Sequence, residues 1–102
     1  MQEQLPSSST ISKELPAASV AAVRAALGDL VKQPAGDGAA LHEAVRELAH
    51  EARARAVPPE HLIVSFKLIW ASETGEHPMP DRRLQAHWFD RTVSLCIREY
   101  FA

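Results

Sequence analysis

HLIVSFKLIW, residues 61–70, puts seven large apolar side chains into ten positions, interrupted only by His61, Ser65 and Lys67. A membrane crossing needs about 20 such residues, so the run is too short for lipid and too apolar for an ordinary surface helix. Its flanks define it as a helix of a protein core. Pro59 and Glu60 suit a first helical turn, the proline through its fixed φ and the acid through the positive end of the helix dipole. Gly75 is the expected stop, and Pro78 prevents resumption. A helix over about 59–73 follows. On a helical wheel Leu62, Ile63, Phe66, Ile69 and Trp70 form one wide face, while Val64 and Leu68 fall almost opposite. A helix apolar around most of its circumference is buried on most sides, which places this one centrally.

The flanking sequence supplies three more helices and no sustained period-2 alternation of the kind strands require. Over about 17–32, Val20, Val23, Leu27, Leu30 and Val31 recur at steps of three and four among alanines and Gly28. QPAGDG (33–38) then breaks the chain, and Asp37 is the expected N-cap of the next helix. That helix, about 38–56, has Leu41, Ala44, Val45, Leu48, Ala49, Ala52 and Ala56 on one arc. His42, Glu43, Arg46, Glu47, His50, Glu51 and Arg53 lie on the other. The residue before a proline avoids helical geometry, so VPPE (57–60) ends one helix and starts the next almost at once. The last helix, about 80–101, begins at Pro80 and Asp81. It has two apolar faces: Leu84, Trp88 and Leu95, and then Phe89, Val93, Cys96, Ile97 and Tyr100. Residues 1–15, polar and serine-rich, with Pro6 inside and Pro16 directly after, read as a disordered tail. The fold expected is all-α, a compact four-helix bundle-like domain over 16–102.

Bulk properties narrow the function. The 102 residues are 46% hydrophobic and 24% charged, with a formal net charge of −2, as in one ordinary globular domain. Such a balance gives no global attraction to nucleic acid or anionic lipid. The single cysteine, Cys96, excludes an intrachain disulfide and gives no sign of an oxidising compartment. The first 16 residues have neither a basic start nor an apolar core, so they do not read as a signal peptide. A cytoplasmic location is the expectation, with no membrane contact.

Catalytic and metal chemistry finds little to stand on. Glu47 and His50 make one Glu-x-x-His pair, but di-iron bundles need two such pairs facing inward, and this pair lies on the charged face of its helix. His42 and His50 are two turns apart, about 12 Å along the axis, too far to share one ion. Glu73, Glu76 and His77 cluster near a loop and read as polar surface. Cys96 sits among Phe89, Val93 and Tyr100, which predicts a buried, inert thiol. The chain reads as non-enzymatic, with no cofactor and no metal.

Two surfaces stand out instead. The surplus of apolar faces on the last two helices predicts that Val64, Leu68, Leu84, Trp88 and Leu95 include a contact with another chain, a second copy or a different protein. Arg82, Arg83, His87, Arg91 and Arg98 form a basic stripe on the last helix, which makes a nucleic-acid-associated protein the alternative. A helix-turn-helix reading of helices two and three fails on chemistry. The outward positions of the would-be recognition helix are Val64 and Leu68, and only Lys67 can read base edges.

EARARAVPPEHLIVSFKLIW (51–70) and VSLCIREYFA (93–102) resemble small uncharacterised bacterial all-helical proteins, a likeness that implies a helical domain and brings no activity. The arginine-rich helix end with its Pro-Glu restart is also similar to the helical N-terminal domains of bacterial partner-switching phosphatases. Those domains dimerise and receive an activating protein. The resemblance implies a regulatory interaction module and assigns no individual residue.

Overall fold

Glycine, proline and one aspartate punctuate four helices: α1 (Ala17–Lys32), α2 (Ala39–Ala54), α3 (Pro59–Glu76) and α4 (Arg82–Tyr100). The computed structural model describes residues 15–34 and 36–102, and no strand occurs among them. The expected tail, 1–15, lies outside the described residues except for Leu15, which is half-buried and packs on the core rather than belonging to a tail.

The helix boundaries have identifiable chemical causes. At the start of α2, Gly38 occupies the N-cap in the left-handed region, φ 68°, and Asp37 Oδ1 accepts the Ala39 N–H at 3.0 Å. The aspartate expected as the cap therefore acts from one residue further out. The end of α2 is a Schellman motif, with the Val57 N–H donating to the Ala52 carbonyl and the Ala56 N–H to that of Arg53. Its left-handed position, φ 61°, is filled by Ala56 rather than the usual glycine. Buried Val57 follows as the apolar contact of the motif, so α2 ends two residues earlier than periodicity indicates. α3 runs through Gly75, contrary to the expected stop, and ends at His77 because Pro78 disfavours helical geometry there. At α4, Asp81 caps the N–H groups of Arg83 and Leu84 through Oδ1 at 2.9 and 3.4 Å.

The helices pack as a four-membered ring in the order α1–α2–α4–α3, with α2 and α3 also touching across the middle; α1 and α4 do not meet. The most extensive contact is between α2 and α4, followed by α1 with α2. α3 touches all three other helices, as expected of a central helix, but shares that place with α2, whose contacts are more extensive. The alanine-rich face of α2 explains the difference. Ala49 and Ala52 are fully buried beside Leu41, Val45 and Leu48, so neighbouring backbones approach α2 more closely than they can approach a face of Phe and Trp.

Within the core, Phe66 and Trp70 of α3 meet Phe89 of α4, with ring centroids 6.2 and 5.3 Å apart. Full burial of Leu62 and Phe66 contributes about 1.5–3 kcal/mol each. Two buried threonines are satisfied locally, Thr74 donating to the Trp70 carbonyl at 2.8 Å and Thr92 to that of Trp88 at 2.6 Å. Met79, in the loop before α4, plugs the core, and its N–H donates to Gln85 Oε1 at 3.0 Å.

Candidate interaction surfaces

The five residues expected at a contact surface divide between two places. Val64 and Leu68 are exposed on the outer side of α3, 56% and 67% accessible. Trp88 and Leu95 are buried, and Leu84 is half-buried against the core. The α4 part of the expected interface is therefore interior. α4 lies between α2 and α3, so both of its apolar faces are covered except at Ile97. Phe89 meets the α3 aromatics, while Trp88 closes against the start of α2.

What α4 leaves outside is Ile97, 46% accessible, and Phe101 just past its end, 65% accessible. Phe101 follows the last apolar position of the helical repeat, so periodicity alone does not single it out. Tyr100 donates its hydroxyl to the Val57 carbonyl at 2.6 Å, bringing the end of α4 beside the start of α3. Val64, Ile97 and Phe101 thus lie toward the same end of the α3–α4 pair.

All five residues of the basic stripe are exposed. Arg24, Arg46 and Arg55 have carboxylate partners within 4.0 Å, and Arg53 donates to the carbonyls of Tyr100 and Ala102. Among the described residues, no acidic group pairs with Arg82, Arg83, Arg91 or Arg98. Arg91 instead lies over the Trp88 indole, its guanidinium carbon 5.6 Å from the ring centroid, an arrangement that holds a cation without neutralising it.

The lower half of this stripe borders a concavity. A pocket of about 220 Å³ opens between the start of α2 and α4, with Leu41, Trp88 and Leu95 as apolar wall and His42, Arg91, Ser94 and Arg98 among its polar groups. Asp37 and Gly38 form its edge. A β-carbon at Gly38 would stand 2.6 Å from the Trp88 ring, so both the left-handed backbone and the tight approach require glycine here. The Trp88 Nε1 is buried and has no acceptor among the described residues. Sequence reasoning recognised the arginines but not the pocket, because His42 and Arg98 are 56 positions apart and only the α2–α4 packing brings their helices together.

Elsewhere the polar side chains of the described residues pair off without converging on a site. His50 Nε2 lies 3.1 Å from Glu99 Oε1, with Arg46 Nε 4.0 Å from the same oxygen. The charged face of α2 is thus partly a seam to α4 rather than wholly solvated. Glu73 pairs with Arg24 at 3.4 Å across α1 and α3. Among the described residues, no three His, Cys, Asp or Glu side chains come together in a way that suits a metal ion. Burial pushes the Cys96 thiol up to about 12, so it stays protonated and non-nucleophilic near neutral pH. No helix among the described residues is long and apolar enough to cross a membrane.

The fold and these surfaces define a small all-α domain with one apolar and one basic face open to solvent. No known family model, curated protein or solved structure matches the chain.

Proposed function

We propose that this chain is a non-catalytic helical interaction module of a bacterial cytoplasm, acting in regulation, which pairs with a second copy of itself through the outer side of α3. The observation that carries this reading is the exposure of Val64 and Leu68, one turn apart in the middle of a helix whose other large apolar side chains are buried or half-buried. Ile97 and Phe101, toward the same end of the α3–α4 pair, add apolar surface. Scattered exposed hydrophobes need no explanation, but several large ones on adjoining helices mark contact surfaces. The likeness of the α2–α3 junction to partner-switching domains supports a dimeric, regulatory setting.

Amide resonances followed on dilution test it. Residues of the α3 outer face should shift together as the dimer dissociates, while those of the α1–α2 side stay fixed. Shifts absent throughout, in a chain that remains monomeric, would remove the reading.

A second reading has its own observation: the unpaired arginines of α4 suit the phosphates of a nucleic acid. It predicts binding that falls steeply with salt through counterion release. Absence of binding to duplex or single strands even at low salt would end it.

A further inference from the structure

We infer that the pocket between the start of α2 and α4 binds a small organic anion, a phosphate or carboxylate head on a compact apolar body. This site is separate from the outer face of α3 and does not depend on dimerisation.

The charge arrangement selects an anion. Arg91, Ser94 and Arg98 stand at i, i+3 and i+7 on α4 and therefore on one face, and all three line the pocket. The two arginines are about 10.5 Å apart along the axis, a span that two long guanidinium side chains can close onto one head from opposite ends. Neither has an acidic partner among the described residues, and Arg91 is held in place over Trp88. His42 lines the pocket from α2, whose first turn carries no acidic residue. Among the described residues Asp37 is the only carboxylate in the lining, and its Oδ1 already accepts the Ala39 N–H. Two cations, one of them held over Trp88, against a single carboxylate leave the pocket positive, and arginine suits the forked geometry of phosphate and carboxylate.

The wall sets the rest of the ligand. Leu41, Trp88 and Leu95 give an apolar surface behind the cations. A volume of about 220 Å³ equals roughly seven waters at about 30 Å³ each, enough for a head group and one small ring. The Trp88 indole N–H is a donor with no acceptor among the described residues, and its ring belongs to this wall, so it reports on occupancy.

The experiment is an NMR titration of the full chain with phenyl phosphate, benzoate and inorganic phosphate, following the Trp88 indole and Gly38 amide resonances. Phenyl phosphate or benzoate should saturate these shifts at about millimolar concentration or below, and inorganic phosphate should bind at least about tenfold more weakly for lack of an apolar body. Arg91→Gln and Arg98→Gln, both at exposed positions, should each weaken binding by about tenfold or more, with Arg82→Gln, outside the pocket, changing it by less than about twofold. No saturable shift up to about 10 mM of any of the three probes, or equal binding by the Arg91 and Arg98 variants, would overturn the inference. So would a short oligothymidylate that binds through all four arginines equally while phenyl phosphate does not, since the stripe would then serve a phosphate backbone rather than a pocket.

Discussion

Tyr100 in the last turn of α4 donates its hydroxyl to the carbonyl of Val57, 43 residues earlier, at 2.6 Å. The bond fastens the end of the chain to the hinge between α2 and α3. Tyr100→Phe removes the donor and leaves the carbonyl of a buried residue short of a partner, at a cost of about 1–2 kcal/mol. Urea unfolding should show this as a lower midpoint with an unchanged slope. A midpoint equal to the wild type would mean that water replaces the phenol without loss.

Ala56 sits at φ 61° in the Schellman motif that ends α2. A left-handed conformation costs a residue with a β-carbon about 1–2 kcal/mol, part of which Gly returns as unfolded-state entropy. Ala56→Gly should therefore stabilise the fold by about 0.5–1 kcal/mol, read from the melting temperature. At Gly38 the sign reverses. Gly38→Ala adds a β-carbon at 2.6 Å from Trp88 on a left-handed backbone, and should destabilise by about 1–3 kcal/mol.

Gly75 gives a complementary case. It lies inside α3 with nothing within 4 Å of an added β-carbon. Gly75→Ala should stabilise by about 0.5–1 kcal/mol. A loss would indicate that the last turn of α3 does not stay helical in solution.

Cys96 links stability to alkaline pH. Burial raises its folded-state value from 9.0 to about 12. The unfolded thiol ionises above pH 9 while the folded one retains its proton, so the contribution is fully present below pH 9 and is lost progressively as pH rises toward 12. Unfolding free energy should fall across that window, and less so in Cys96→Ala after allowance for the cavity. A thiol reagent at pH 8 should label the native chain far more slowly than the unfolded one.

These positions also show what the sequence makes legible. The four helices follow from apolar periodicity and proline punctuation, and α1 matches its expected bounds because nothing competes with its repeat. Gly75 misleads because glycine stops a helix only where the backbone turns left-handed, and here Pro78 acts first. Ala56 misleads in the opposite way, since a tertiary contact at Val57 imposes on alanine a turn that glycine prefers. Val64 and Leu68 are correctly outward, being opposite the dense face of α3. Trp88 and Leu95 are not, because a wheel shows that α4 has two apolar faces but cannot show that two neighbours cover both. His42 joins the arginine stripe only through packing between helices.

The central claim concerns the outer side of α3, and light scattering behind size exclusion tests it most directly. At tens of micromolar, roughly the range in which a modest interface is occupied, the wild type should run at twice the 11.2 kDa chain mass. Val64→Glu with Leu68→Glu, both at exposed positions, should return it to the monomer while helicity and melting temperature hold. A wild type that is monomeric at that concentration, or a double variant that stays dimeric, would contradict the account.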